Sequence, residues 1–360
     1  MRDSDTPQLL DRCEEVDAEW LRKILSNAGH DDVEIASFAS RPIGAGNVSD
    51  TFRVTLEYAR PTPAPPSLIC KFRCSGEAAH AHGIGSGSYL RELESYRALK
   101  GRTDVCRIPH VHWIDGHAEN INLVMEDLSG TARAGNQIAG CSIDDARSVV
   151  AELAKLHRAF YPMSRSDAPA WGMTMAGTAD YWAAAVTRGL GVIRQHVASR
   201  LDVWQMDVVE DAERLAPSWY RLPMRRGTLT HGDPRVDNIL FAPEGAVLID
   251  WQVTGLRNPM HDIGYFLSGS VSLDDRRAHE NDLLDLYVDI FGSLGGYGRD
   301  AIEADYRVQL LSGLMTTIAA YGLLPLSPEV DRLLMALLQR NVAAAADWNS
   351  FAVFSDVPAT

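Results

Sequence analysis

The stretch His231-Gly232-Asp233-Pro234-Arg235-Val236-Asp237-Asn238, running into the apolar Ile239-Leu240-Phe241, decides how this chain is read. After a turn at Pro243 to Gly245 comes Val247-Leu248-Ile249-Asp250-Trp251-Gln252. Two short strands joined by a tight turn place Asn238 and Asp250 at neighbouring ends of a hairpin. There an amide oxygen and a carboxylate can share a hard cation, because Mg²⁺ takes oxygen ligands and completes its shell with substrate phosphates. Asp233, in the loop before Asn238, is left to meet a substrate hydroxyl. One base and two metal ligands are what phosphoryl transfer asks of a protein.

Upstream, Ile43-Gly44-Ala45-Gly46-Asn47-Val48-Ser49-Asp50-Thr51-Phe52 reads as a small-residue turn between two strands. Glycines there let backbone N–H groups approach phosphates. Lys71 interrupts the apolar run Leu68-Ile69-Cys70-Lys71-Phe72, a costly place for a charge unless it is paired. The following helical segment offers Glu92 as the partner, with Glu94 its rival two positions on. By itself a strand lysine more often snorkels to water.

The rest of the chain arranges around these segments. A short amphipathic helix is expected from about Asp17 to Gly29, with Trp20, Leu21, Ile24 and Leu25 on one face. Strands follow at 33–41, 51–58 and 68–72, with Arg60 to Pro66 as a surface connection between the last two. Gly83 to Ser88 reads as a strand-to-helix connection, and residues 89–99 as a helix. Strands are expected at 111–114 and 121–125. Ser142-Ile143-Asp144-Asp145 has the form of a capping box opening a helix to about Phe160. Helical periodicity then dominates, apart from the turn-rich island 229–250. The expected fold class is α+β: residues 1–126 as a small antiparallel-sheet lobe, residues 127–360 as a larger, mostly helical one.

Composition bounds the function classes. The chain has 360 residues, a 46% hydrophobic and a 23% charged fraction, and a formal net charge of −14. It can therefore bury a sizeable core, and neither nucleic acid nor a membrane surface is expected as a partner. Five scattered cysteines, an odd number without a C-x-x-C pair, fit a reducing cytoplasm better than a disulfide framework or structural zinc. The polar N-terminus is not expected to act as a signal peptide. Oligomeric state is not legible.

The set of motifs resembles the aminoglycoside phosphotransferase and choline kinase superfamily, nearest its ecdysteroid-kinase-like branch. The matching pieces run in the family's order: Gly44 to Val54, Lys71, Glu92 with Tyr96, Leu123 to Leu128, Leu153 to His157, His231 to Asn238, Asp250 to Gln252, and Pro259 to Leu267. The resemblance implies a two-lobed protein-kinase-like fold and transfer of phosphate from ATP, with GTP the alternative, to a hydroxyl of a small molecule with Mg²⁺. It implies that Gly44, Gly46 and Ser49 cover the nucleotide phosphates and that Lys71 binds them, clamped by Glu92. Glu126 and Leu128 would offer backbone groups to adenine, and Asp233 would be the catalytic base. Asn238 and Asp250 would hold Mg²⁺, with His231 and Asp262 bracing the catalytic loop. Pro234 stands where the family usually carries a bulky apolar residue.

Rival readings are weighed on residues too. A nucleotide-binding relative without catalysis would have lost Asp233, Asn238 or Asp250, and none is lost. A protein kinase needs room for an activation loop, yet only eleven residues separate Asp250 from Asp262. His80 with His82, and His110, His112 and His117, lack a third ligand at helical spacing for zinc. The acidic run from Asp274 to Asp289 reads as a solvated helix face, the alternative being a rim that attracts a cationic substrate. Trp171, Tyr181, Trp182 and Trp204 could line a ring-shaped pocket, though aromatics at helical spacing are more often core.

Overall fold

The computed structural model describes residues 6–44 and 48–354. Gly46 of the glycine turn lies outside the described residues. The chain forms two compact units that are not contiguous in sequence. The first comprises Met1–Thr103, Ile108–Ala132 and Ile249–Val253; the second comprises Asp104–Arg107, Arg133–Leu248 and Thr254–Thr360.

The first unit opens with α1 (Ala18–Asn27), whose N-terminus is capped by the Asp17 carboxylate accepting from Trp20 N–H. Trp20, Leu21, Ile24 and Leu25 are its buried positions, the spacing of one helical face. Then follow β1 (Ile35–Pro42), β2 (Ser49–Tyr58), β3 (Ser67–Arg73), α2 (Glu77–Ser86), α3 (Ser88–Leu99), β4 (Val111–His117) and β5 (Asn120–Glu126). The five strands form one sheet in the order β1-β2-β3-β5-β4, each neighbouring pair antiparallel. Strand alternation sends Leu68, Cys70 and Phe72 of β3 into a core shared with Trp20, Leu21, Ile24, Val54 and Val124. Lys71, between them in sequence, therefore faces the other side.

One expectation fails here. The segment Gly83 to Ser88 is not a loose connection: Gly83 and Gly85 lie inside α2, which ends only at Gly87 with φ +70°. The reason is close packing, not flexibility. A Cβ on Gly83 would stand 2.7 Å from the Tyr89 ring and from Val48, so only glycine lets this helix seat there.

The second unit contains β6 (Arg133–Ala134), α4 (Ile143–Phe160), β7 (Met173–Thr174), α5 (Ala179–His196) and α6 (Val203–Tyr220). Next come β8 (Thr228–Thr230), β9 (Ile239–Ala242), β10 (Gly245–Leu248) and β11 (Gly255–Arg257). The helices α7 (Met260–Ser270), α8 (Leu273–Phe291), α9 (Arg299–Gln309), α10 (Leu311–Leu323) and α11 (Pro328–Asp347) complete it. The capping box at Ser142 and Asp145 forms as the sequence anticipates. Strands β9 and β10 pair antiparallel with Ile239 opposite Leu248. Strand β11 runs antiparallel to β8 and parallel to β7.

The helical core packs α5, α6, α10 and α11 together through Leu190, Ile193, Trp219, Leu314, Ile318 and Leu338. Trp182 is partly buried against it, whereas Tyr181 and Trp204 are exposed. Three acids of α8 are paired within this unit: Glu280 with Arg276 at 2.9 Å, Asp285 with Arg299 at 2.7 Å, Asp282 with Arg147 at 3.7 Å. Among the described residues, no helix is long and apolar enough to cross a membrane.

Where α5 crosses α10, a Cβ on Gly189 would stand 1.8 Å from the Ile318 carbonyl oxygen, and one on Gly322 2.6 Å from that of Ala185. The helix backbones touch, leaving no volume for a side chain. Gly189→Ala is expected to lower stability by about 1–3 kcal/mol, the range for overpacking. A reduced urea midpoint at unchanged slope would register this; an unaltered midpoint would mean the two helices separate without cost.

Candidate active site

In the first unit the chemistry gathers around Lys71. The β3 alternation turns this residue away from the apolar core, and helix α3 supplies its partner. Lys71 Nζ lies 2.6 Å from Glu92 Oε1 and 3.2 Å from Asp250 Oδ1. Lys71 is 8% exposed and Glu92 1%. The rival Glu94 is on another face of α3, bonded to Arg97 at 2.7 Å. Burial by itself would strip the lysine of its proton, but the two facing carboxylates outweigh it and hold its pKa above the ordinary value. Burial pushes Glu92 the other way, upward, with the charge of Lys71 opposing.

Residues 249–253 bring further groups to the same place. Asp250 takes φ +66°, a left-handed conformation that costs a non-glycine residue of order 1 kcal/mol and marks functional turns. Its side chain stays about one-third exposed, at 33%. Gln252 Nε2 donates to Ser49 Oγ at 3.3 Å and to Glu92 Oε2 at 3.4 Å, and the Gln252 carbonyl accepts from Arg91 Nε at 2.7 Å. Ser49, the first residue of β2, is buried, and Gly44 has φ +73° with open space where a Cβ would be. Glu126 ends β5; its N–H donates to the His110 carbonyl at 2.9 Å and its carboxylate accepts from His110 N–H at 2.8 Å. The Leu128 carbonyl accepts from Ala132 N–H at 2.7 Å.

In the second unit, the loop leaving β8 is held from behind by one carboxylate. Asp262, on the first turn of α7, is fully buried. It accepts from His231 N–H at 2.7 Å and from Gly232 N–H at 2.9 Å. His157 Nε2 is 3.1 Å from the same carboxylate and its Nδ1 3.1 Å from the Tyr287 hydroxyl, contacts that a neutral Nε2–H tautomer satisfies together. Gly232 has φ +88°, which the sharp turn into Asp233 requires. Burial would raise the Asp262 pKa, yet the His157 hydrogen bond and the neighbouring histidines bring it down to about 2. His261, next in the chain, is lowered to about 3 chiefly by burial.

Asp233 and Asn238 are tied to each other. Asn238 Nδ2 donates to the Asp233 carbonyl at 2.9 Å and to Asp233 Oδ2 at 3.2 Å. With its nitrogen so used, the amide oxygen is the atom left for a hard cation. Asp233 Oδ1 is buried without a hydrogen-bond partner among the described residues. An orphaned carboxylate oxygen of this kind suits a substrate hydroxyl. An amide oxygen and a carboxylate are donors of the kind that fit Mg²⁺.

Three supporting residues escaped the sequence reading. Gln137, 2% exposed, accepts from Val236 N–H at 2.7 Å and donates to the Gly269 carbonyl at 2.9 Å, so it props the segment between Asp233 and Asn238. Gln252 and His157 were visible as motif members without a role. A glutamine in a loop carries no sequence signal that it will be buried.

The fold built from these parts is the two-lobed protein-kinase-like class. The chain belongs to the ecdysteroid kinase-like family, whose pattern matches residues 44–294. It is similar in structure to choline kinase from Cryptosporidium parvum Iowa II, at 11% identity and a TM-score of 0.58, over 95% of this chain and 98% of that one. It is also similar to a point mutant of aminoglycoside 2'-phosphotransferase-IIIa in its GDP complex, at 14% identity and a TM-score of 0.52, over 91% and 97% of the two chains. At such identities the likeness is one of fold. No curated protein matches the chain in sequence.

Both pKa values that lie low on α7 set a pH dependence of one sign. A group depressed on folding gives stability that is present above its unfolded pKa and is lost as pH falls. His261 withdraws stability from about pH 6.5 downward, and Asp262 from about pH 4 downward, the ordinary values for those side chains. Urea midpoints measured from pH 7 to pH 4 should fall steadily, and His261→Phe should flatten that slope. A slope that the substitution leaves alone would show that His261 is not the proton acceptor on unfolding.

Proposed function

We propose that this chain transfers the terminal phosphate of a nucleoside triphosphate, ATP with GTP as the alternative, to a hydroxyl group of a small molecule. The observation that carries the reading is Lys71: a buried, protonated lysine held between Glu92 and Asp250. A charge of this kind costs several kcal/mol to bury and is kept where an anion must be bound. Membership of the ecdysteroid kinase-like family supports the same reading.

In this mechanism residues 1–126 take the nucleotide and residues 127–360 the acceptor. Lys71 binds phosphate oxygens, Gly44, Gly46 and Ser49 cover them, and Glu126 and Leu128 meet the base through their backbone. Asn238 and Asp250 would supply oxygens to hold Mg²⁺, which when bound would neutralise charge on the phosphate. Asp233 Oδ1 orients the acceptor hydroxyl and takes its proton as the new P–O bond forms and the bond to the β-phosphate oxygen breaks. His231 and Asp262 keep the loop carrying Asp233 in shape.

Two measurements test this. Mg²⁺–ATP at about 100 times its Kd should add roughly 2.7 kcal/mol to stability, seen as a rise of a few degrees in Tm. Asp250→Ala should abolish the rise; no rise with any nucleotide in the unsubstituted protein would sink the nucleotide site. Asp233→Asn should slow phosphate transfer by at least about 10²-fold with nucleotide affinity nearly unchanged. Undiminished turnover in that variant would remove Asp233 from the chemistry.

A further inference from the structure

The two oxygens of the Asp233 carboxylate are not equivalent. Oδ2 receives the Asn238 amide at 3.2 Å and faces Arg235 Nε at 3.5 Å. Oδ1 has no partner among the described residues. A carboxylate turns easily about its last torsion, so either oxygen can exchange into either place unless one is anchored. A single amide at 3.2 Å is a weak anchor. Arg235 adds an ion pair to the same oxygen at 3.5 Å, longer than a hydrogen bond, so it acts on Oδ2 by charge alone.

The chain around Arg235 is built to keep it there. Pro234 is buried and fixes its own backbone, which restricts the residue on either side. Arg235 is extended, with φ −68° and ψ 156°, at the start of the short 3₁₀ turn Val236–Asn238. Val236 N–H is pinned to Gln137 Oε1 at 2.7 Å and Gln137 N–H to Asp237 Oδ1 at 2.9 Å, so the backbone on the C-terminal side is fixed as well. The Arg235 side chain is 35% exposed, not sealed into a core as a purely structural arginine would be. Its presence two residues after Asp233 also gives Pro234 a purpose: the stiff residue sets the distance between base and guanidinium.

We propose that Arg235 is a positioning residue for Asp233, which anchors Oδ2 by charge so that Oδ1 is the oxygen presented to the acceptor. This rests on the phosphotransfer reading above, and it adds to that reading which residue decides the orientation of the base. It assigns Arg235 an effect on turnover and none on nucleotide binding.

The test uses the full chain with Mg²⁺–ATP and water as the acceptor, following release of inorganic phosphate, for the unsubstituted protein, Asp233→Asn, Arg235→Met, Arg235→Lys and Arg235→Ala. Arg235→Met should lower kcat by about tenfold or more, while KM for Mg²⁺–ATP stays within about twofold, the signature of an interaction that matters only in the transition state. Arg235→Lys should recover part of the loss, and added guanidinium ion should raise the rate of Arg235→Ala. A structural role would lower Tm and would not respond to guanidinium. Unchanged kcat in Arg235→Met, or a loss that neither lysine nor guanidinium repairs, overturns the assignment while Asp233→Asn still reports on the base. Absence of Asp233-dependent phosphate release in the unsubstituted protein overturns the phosphotransfer reading and this one together.

Discussion

A protonated lysine in the middle of an apolar strand is the constraint around which the first unit is organised. Strand alternation alone puts Lys71 opposite Cys70 and Phe72, where burial leaves it little solvent. Something must supply negative charge, and two elements far apart in sequence do so: Glu92 from α3, and Asp250 from the short segment 249–253. Lys71 and Glu92 are buried, so removing either carboxylate would leave charge there less well compensated. Gln252 and Arg91 extend the network, so that β2, β3, α3 and residues 249–253 share one set of hydrogen bonds.

The second unit has a counterpart in Asp262. One buried carboxylate accepts two successive backbone N–H groups and a histidine, which leaves the loop little freedom between β8 and the 3₁₀ turn. Its low pKa is the electrostatic record of those bonds, strong enough to overcome complete burial. A single rigid element thus fixes the backbone that leads into Asp233, the residue assigned to proton transfer, which is what preorganisation requires.

The two anchors differ in how they were legible. Lys71 stood out because a charge interrupted an apolar run, and Asp262 because it lay at a fixed distance after Asp250 in an ordered series of motifs. The choice between Glu92 and Glu94 could not be made from spacing, since both follow Lys71 in one helix; helix rotation decided it, burying Glu92 and giving Glu94 to Arg97. The glycines at 83 and 85 misled because a glycine serves equally to break a helix and to let a helix approach its neighbour, and only the Tyr89 ring above Gly83 distinguishes the two. The acidic run along α8 was ambiguous between substrate rim and solvated face until its arginine partners, from α4, α9 and its own helix, were placed.

What the sequence determined by itself is local and periodic: the alternation of β3, the capped starts of α1 and α4, the hairpin after Asn238, and the order of the motifs. Those follow from steric and hydrogen-bonding rules that act over a few residues. Tertiary structure alone decided which polar side chains lose water. Gln137 props the segment between Asp233 and Asn238 from a hundred residues away, Arg235 pairs with Asp233 Oδ2, and burial lowers the pKa of His261 beside Asp262. Each of these depends on the position of groups distant in the chain, because desolvation and charge pairing are set by what surrounds an atom in space and not by what adjoins it in sequence.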